Sequence, residues 1–269
     1  MTFAKKLWAL AFAGAVFPAS AFVLLGHNNT FVPGDVQAGD FVYKWGDVLN
    51  LGSTGGTVTY SFLPELARCE RTATETGGIL PRSNCANSNP AAAFGAGYEA
   101  IFATAFANWS NVADIDFVQV ADSGAESGRD VAGQAGMIRI GAVPFTTNNV
   151  YAFSMIGPFG HSNGLGADIF FNSRLFRPWP MDALLDVAMH EIGHSIGLGH
   201  SFNSDSVMQA FSQTLYSDLA ADDVAGVQTI YGLRHAVPEP AGWVLALTGL
   251  AAIVGRRRTA MRWRKPSDL

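Results

Sequence analysis

The sequence predicts an α+β domain with a twisted, mostly parallel sheet of five strands, a long histidine-bearing helix and a small helical C-terminal subdomain. Two observations support this expectation. Five short segments have the alternating or β-branched pattern of strands, and a helical segment lies between the first two of them. A helix between consecutive strands indicates a crossover connection, which favours parallel pairing.

The elements can be placed in order along the chain. The first strand is expected at residues 57–62, and a helix at 98–109 places Phe102, Phe106 and Trp109 on one face. Such a row of aromatic side chains is typical of a core, although a ligand-binding stripe would have the same spacing. Further strands are expected at 115–120, 137–140, 150–155 and 168–171, followed by a helix capped by Asp182 and a closing helix over 219–232.

The composition is that of a folded domain with few charges. Hydrophobic residues make up 49% of the 269 residues, charged residues only 14%, and the net charge is −5. The 19 Phe and 6 Trp are enough for a substantial core, and no basic patch lies outside the C-terminal arginines. We therefore expect a monomer that does not bind nucleic acid.

The residues with the clearest chemical pattern lie between His190 and His200. This segment reads His-Glu-Ile-Gly-His-Ser-Ile-Gly-Leu-Gly-His. On a helix, His190 and His194 leave the same face one turn apart, and neutral imidazoles at this spacing suit a tetrahedral zinc. Gly197 can adopt a positive φ, so that the chain turns back and His200 becomes the third ligand. Glu191 can then reach a water in the open fourth position, which favours a catalytic zinc. A solvated, histidine-rich helix is the alternative.

This motif resembles that of the matrixins, a branch of the metzincin zinc endopeptidases. Ser201 follows the third histidine as in matrixins, and Met208 lies where metzincins have a methionine turn beneath the zinc. The resemblance extends over roughly residues 41–232, and it implies a metzincin-like fold with an active-site helix. It also implies one catalytic zinc bound by His190, His194 and His200, with Glu191 as the general base of peptide-bond hydrolysis.

The resemblance further implies a substrate-binding surface. In the family an extended substrate pairs with an edge strand, and residues 150–155 are the candidate, through Tyr151, Ala152 and Phe153. Phe211, shortly after the methionine turn, is expected to line the main side-chain pocket.

Two departures from the family concern additional metals. Phe170 stands where animal matrixins have a ligand to a second, structural zinc, and Asn172 replaces a family aspartate with no acidic cluster after it. These residues argue against a structural zinc and do not favour calcium, which the resemblance would allow. His161 stands alone in a glycine-rich loop, and such a histidine is more often solvated than a ligand.

The two cysteines, Cys69 and Cys85, bracket a polar loop. In an exported protein they indicate one disulfide that closes this loop. Cys69 as a latency ligand of the zinc is the weaker alternative, because the Pro-Arg-Cys-Gly pattern of the family propeptide is absent.

The N-terminus has the pattern of a secretory signal peptide over residues 1–21. Lys5 and Lys6 precede an apolar stretch that ends in Ala-Ser-Ala, so signal peptidase is expected to cut after Ala21. A buried N-terminal helix fits this pattern less well. A linker over 22–40 is then expected before the zinc peptidase domain at 41–235.

The C-terminus resembles a second sorting device. Residues 236–258 contain Pro-Glu-Pro, a short apolar stretch and three arginines, as in the PEP-CTERM signal of Gram-negative bacteria, and residues 259–269 would form a cytoplasmic tail. The resemblance implies transient anchoring in the inner membrane and cleavage by an exosortase-type enzyme. The protein would then reach the cell surface or the extracellular matrix. An ordinary tail anchor is the alternative.

Together these features predict an exported, zinc-dependent endopeptidase that acts on proteins or peptides. The competing hypothesis is a catalytically inactive, zinc-binding structural protein of the extracellular matrix or biofilm, favoured by the sorting signal and the absent propeptide. The presence of Glu191 favours the enzyme, since neither folding nor zinc retention requires that carboxylate. A zinc hydrolase of non-peptide bonds is a minor alternative.

Overall fold

The computed structural model describes residues 21–26, 29–31, 42–67, 79–80, 89–124, 137–154, 167–175, 178–211 and 214–234. They lie within the compact unit Met1–Arg234. Several expectations fall outside these residues: most of the signal peptide, Cys69 and Cys85, His161, and the sorting signal with its tail. Within the described ranges, no helix is long and apolar enough to cross a membrane.

The strands form one hairpin and one larger sheet. In chain order they are β1 (Leu24–Gly26), β2 (Asn29–Phe31), β3 (Gly56–Phe62), β4 (Ile115–Gln119), β5 (Ile138–Val143), β6 (Ala152–Ser154) and β7 (Ile169–Asn172). Strands β1 and β2 pair in an antiparallel hairpin, and the other five are ordered β4-β3-β5-β7-β6. Neighbours in this sheet are parallel except β6, which runs antiparallel to β7 at the edge. The predicted five-stranded, mostly parallel sheet is confirmed.

The described residues include the helices α1 (Pro90–Phe94), α2 (Tyr98–Ser110), α3 (Met181–Ser195) and α4 (Ala221–Tyr231). Helices α1 and α2 lie between β3 and β4, which pair in parallel as the crossover predicted. Phe102, Phe106 and Trp109 are buried in the core, and the ring of Phe106 stacks on Tyr60 with centroids 4.1 Å apart. The aromatic face of α2 therefore belongs to the core.

Helix α3 starts earlier than the sequence suggested. Its N-cap is Pro180, with φ −58° and ψ 135°, so the prediction that Asp182 caps this helix is wrong. Proline suits the start of a helix because its φ is already fixed and its missing N–H is not needed there. Asp182 lies in the first turn instead, where its carboxylate accepts the backbone N–H of Ala183 at 2.9 Å. A negative charge there interacts favourably with the helix dipole.

Residues 22–26, expected to belong to a linker, are part of the fold, and most of them are buried. The N–H of Gly199 donates to the carbonyl of Val23 (2.7 Å), and the N–H of Leu25 donates to the carbonyl of Gly197 (2.8 Å). Strand β1 thus pairs with the turn that follows α3. No local pattern predicts this pairing, because its partners are far apart in the chain.

Two large side chains hold the C-terminal end of α3. Tyr231, buried at the end of α4, donates its hydroxyl proton to the carbonyl of Ile196 (2.9 Å) and accepts the backbone N–H of Trp45 (3.1 Å). The indole N–H of Trp45 donates to the carbonyl of Ser195 (3.0 Å). These bonds supply partners for carbonyls that a helix end leaves unpaired. The turn after α3 therefore begins from a fixed position.

Asp186 of α3 predicts a pH-dependent stability. Burial raises the pKa of Asp186 to about 6, while its carboxylate accepts the backbone N–H of Tyr216 at 3.1 Å. A raised pKa favours the neutral acid in the fold, so the stabilisation is present at low pH and lost as the pH rises through about 6. Asp186→Asn keeps an acceptor but cannot ionise. We expect Asp186→Asn to raise Tm by a few degrees more at pH 8 than at pH 5. Each kcal/mol of stability shifts Tm by about 2–4 °C in a domain of this size.

Calorimetry of the wild type and Asp186→Asn at both pH values checks this expectation. The exposed Asp218 offers the control variant Asp218→Asn. An equal shift of Tm at the two pH values would contradict the assignment to Asp186.

Candidate metal centre

Three histidines converge at the C-terminal end of α3. His190 and His194 lie one turn apart on the helix, and His200 follows on the turn beyond it. The Nε2 atom of His194 lies 3.0 Å from Nε2 of His190 and 3.2 Å from Nε2 of His200. One ligand atom of each side chain lies within 4.8 Å of the others. The three predicted ligands are thus brought together around one point.

Gly197 makes the approach of His200 feasible. Its φ is +103°, a backbone conformation that residues with a Cβ rarely adopt. An added Cβ would also collide with the carbonyl oxygen of Tyr43. After this residue the N–H of Leu198 returns to the carbonyl of Gly193 at 2.9 Å, which reverses the chain. The predicted role of Gly197 is confirmed.

Backbone carbonyls fix the orientation of two imidazoles. His190 Nδ1 lies 2.7 Å from the carbonyl oxygen of Val207, and His194 Nδ1 lies 2.8 Å from that of Leu198. A carbonyl oxygen only accepts, so each Nδ1 must carry the proton. In the neutral rings each Nε2 then directs a lone pair at the shared point, which is the arrangement of a metal ligand.

The donor set fits zinc. Lone pairs that face each other at 3.0 Å repel unless a cation lies between them. A tetrahedral zinc with Zn–N bonds of about 2.0–2.1 Å separates its ligand atoms by about 3.3 Å, close to the distances here. Burial lowers the pKa of His190 to about 4 and that of His194 well below its usual range. Both are therefore neutral at physiological pH, as zinc requires.

Among the described residues, these histidines form the one group of three or more His, Cys, Asp or Glu side chains that could bind a metal ion. Phe170, at a family ligand position, is buried in an apolar cluster. The amide nitrogen of Asn172 donates to the carbonyls of Thr147 (2.9 Å) and Val150 (3.0 Å). Its amide oxygen accepts the N–H of Arg174 at 3.0 Å. Asn172 therefore organises the loop before β6 through hydrogen bonds.

Glu191, the predicted base, is 4% exposed on the helix between the first two ligands. Its Oε2 atom lies 2.8 Å from the hydroxyl of Ser154 at the end of β6. In the metal-free site, burial raises the pKa of Glu191 to about 8, and hydrogen bonding with Ser154 opposes that shift. The positive charge of a bound zinc would lower this pKa again and favour the carboxylate that a general base requires. The contact between Ser154 and Glu191 was not predicted, because the two residues are 37 positions apart in the chain.

Met208 packs directly against α3, as expected of a methionine turn. It is 2% exposed, and a Cβ added to Gly193 would collide with its sulfur and meet the Trp109 ring at 3.0 Å. The glycine beside His194 therefore makes room for this methionine. Met208 is therefore buried against the helix residue that precedes His194.

Asp223, near the start of α4, holds the methionine turn. Its carboxylate accepts the hydroxyl of Ser206, the N–H of Val207 at 3.0 Å and the N–H of Met208 at 3.3 Å. The carbonyl of Val207 accepts the Nδ1–H of His190. By holding Val207, Asp223 therefore helps to fix the orientation of this ligand. No local pattern in the sequence indicates this role of Asp223.

The neighbouring Asp222 holds the other side of the site. It accepts the hydroxyl of Ser201, the residue after His200, at 2.6 Å. It also accepts the backbone N–H groups of Ala21 (2.8 Å) and Phe22 (3.2 Å). Two adjacent carboxylates on α4 thus fix both loops that complete the metal centre.

The residues predicted to bind substrate have different environments. Tyr151 is 55% exposed beside the edge strand, whereas Ala152 is buried. Phe153 packs against Phe170 with ring centroids 5.5 Å apart, so its side chain belongs to a second apolar cluster. Phe211 is 92% exposed.

Residues 144–232 match the family model described as Matrixin. This segment includes the three histidines, Glu191, Met208 and the edge strand. The five-stranded, mostly parallel sheet with its few helices is consistent with the matrixin fold.

Curated proteins show the same similarity. Human matrix metalloproteinase-16 is 31% identical over 150 residues, which are 51% of this chain and 24% of that protein. Rat matrilysin is 41% identical over 83 residues, 29% of this chain and 31% of that protein. Human neutrophil collagenase is 36% identical over 91 residues, 31% of this chain and 19% of that protein. The chain spans less than a third of the length of these relatives.

Asp223→Asn tests the support of the methionine turn. The amide would present an N–H group where the carboxylate now accepts, so buried donors lose their partner. We expect the free energy of unfolding to fall by about 1–3 kcal/mol and zinc affinity to fall with it, by about 10- to 100-fold. Urea denaturation and a competition titration for zinc measure the two effects. Asp218→Asn is the exposed control, and wild-type zinc affinity in Asp223→Asn would contradict the role of this residue.

Proposed function

We propose that this chain is a zinc-dependent endopeptidase in which Glu191 is the general base. One observation carries the proposal: the Nε2 atoms of His190, His194 and His200 converge at separations of 3.0 and 3.2 Å beside a buried carboxylate. Three imidazoles leave a fourth tetrahedral position open, which is typical of catalytic rather than structural zinc.

The residues divide the chemistry between them. A zinc ion bound by the three histidines supplies a Lewis acid and lowers the pKa of a water toward about 7. Glu191 accepts the proton from the attacking water at its carboxylate and delivers it to the leaving amine. The carbonyls of Val207 and Leu198 hold His190 and His194 in place. Met208 packs against α3 and takes no part in proton transfer.

The edge strand supports an extended protein or peptide as substrate. Strand β6 ends the sheet order and has β7 as its neighbour, so its other side could pair with a substrate backbone by β-augmentation. Ala152 and Phe153 would contribute through their backbone, since their side chains point into the protein. The exposed side chains of Tyr151 and Phe211 are the candidates for contact with substrate side chains.

The proposal includes export. Signal peptidase would cut after Ala21, and an exosortase-type enzyme would act at the C-terminal signal, so that a monomer reaches the cell surface or matrix of a Gram-negative bacterium. This cut would remove the contact of the Ala21 N–H with Asp222 (2.8 Å) and leave that of the Phe22 N–H (3.2 Å). We propose one catalytic zinc and a disulfide between Cys69 and Cys85.

Glu191→Ala tests the mechanism. Removing the base should leave zinc bound, because none of the three ligand nitrogens is changed. We expect cleavage of casein, an unfolded protein, to fall by about 100- to 10,000-fold. Gel electrophoresis follows the cleavage, and metal analysis counts zinc in the same samples, with and without a chelator.

The exposed Glu99 of α2 provides the matched control Glu99→Ala, which should cleave like the wild type. Wild-type activity in Glu191→Ala would refute Glu191 as the base. A folded wild type that contains one zinc but cleaves neither casein nor a peptide library would instead support the inactive matrix protein.

A further inference from the structure

Ser154 is the last residue of the edge strand β6 and makes an unusual contact with α3. Its hydroxyl oxygen lies 2.8 Å from Oε2 of Glu191 and 2.7 Å from the backbone carbonyl oxygen of the same residue. Within the described part of the chain, the Ser154 hydroxyl is therefore the side-chain partner of Oε2 of Glu191.

A base in this position needs such a contact. Glu191 has three rotatable side-chain bonds, and it is 4% exposed, so water cannot hold its carboxylate in place. The backbone N–H groups in the middle of α3 are used within the helix and cannot bind it. A buried carboxylate without donors is also costly. The Ser154 hydroxyl, whose one proton is shared between Oε2 and the Glu191 carbonyl oxygen, supplies a partner for Oε2 and restricts the side chain.

We propose that Ser154 is a positioning residue for the catalytic base, and that it ties the orientation of the Glu191 carboxylate to the end of the edge strand. This inference rests on the proposed peptidase function. The hydroxyl contacts Oε2 and limits the rotation of the carboxylate, which leaves the other oxygen to accept the proton of the attacking water. Productive proton transfer depends on such positioning of the base.

The competing interpretation is purely structural. The bond from the Ser154 hydroxyl to the Glu191 carbonyl could simply attach β6 to α3. Loss of that attachment would disturb zinc binding or substrate binding. Loss of positioning would lower kcat with zinc content and KM unchanged, and it would change the environment of the carboxylate even without metal. The two interpretations therefore predict different changes in zinc content, KM and kcat when the hydroxyl is removed.

Three variants of the full chain separate these interpretations. Ser154→Ala removes the hydroxyl, and Ser154→Thr restores a hydroxyl on a residue that suits strands. Ser110→Ala is the matched control, since it removes a half-buried hydroxyl that donates to the carbonyl of Ala107 on α2. Steady-state kinetics on a peptide substrate, zinc content and Tm are measured for each.

We expect Ser154→Ala to lower kcat by about 10- to 100-fold, with KM and zinc content close to the wild type. Tm should fall modestly, because a buried carboxylate loses a donor. Ser154→Thr should recover most of kcat, and Ser110→Ala should retain all of it. Unchanged kcat in Ser154→Ala would overturn the proposal. So would a loss of kcat accompanied by lost zinc or a changed KM, or one that threonine fails to rescue.

A second readout does not depend on activity. The ¹³C resonance of the Glu191 carboxyl carbon, identified by its absence in Glu191→Gln, can be compared in metal-free wild type and Ser154→Ala. We expect a shifted or broadened resonance in Ser154→Ala, and an unchanged one would overturn the contact. If the wild type binds one zinc yet cleaves nothing, the peptidase proposal fails, and this comparison still decides whether Ser154 holds the carboxylate.

Discussion

The site depends on the direction in which two imidazole rings point. His190 and His194 each donate Nδ1–H to a backbone carbonyl, and this leaves their Nε2 lone pairs facing each other at 3.0 Å. Facing lone pairs repel each other, so this arrangement destabilises the metal-free fold. A cation bound between them removes the repulsion. The carbonyls belong to Val207 and Leu198, and much of the surrounding structure holds these two residues in place.

Helix α4 provides most of that support through two adjacent carboxylates. Asp223 holds the methionine turn and thereby the carbonyl that orients His190. Asp222 holds Ser201, beside the third ligand, together with the first residues of the described chain. Tyr231, at the other end of α4, fixes the end of the histidine helix. Although α4 contributes no ligand, it determines where the loops that complete the site can lie.

The residues of the metal site that lie close together in the chain were predictable from the sequence. The histidines, Glu191 and Gly197 lie within one short run, and helical spacing places them without knowledge of the fold. Strand β3 follows from its alternating, β-branched residues, whereas β5 and β7 are buried at every position and have no exposed face to alternate with. Ser154 and Asp223 were not predictable, since they act on partners 37 and 16 residues away and serine and aspartate are common on any surface. The pairing of β1 with the turn after α3 was missed for the same reason.

The most direct test of the central claim is X-ray absorption spectroscopy at the zinc edge of the metal-loaded chain. We expect one zinc per chain, with three imidazole nitrogens at about 2.0–2.1 Å and one oxygen in the fourth position. That result would establish the open, catalytic geometry on which the proposed hydrolysis depends. A sulfur neighbour at about 2.3 Å, fewer than three imidazoles, or a fourth protein ligand in place of oxygen would contradict it.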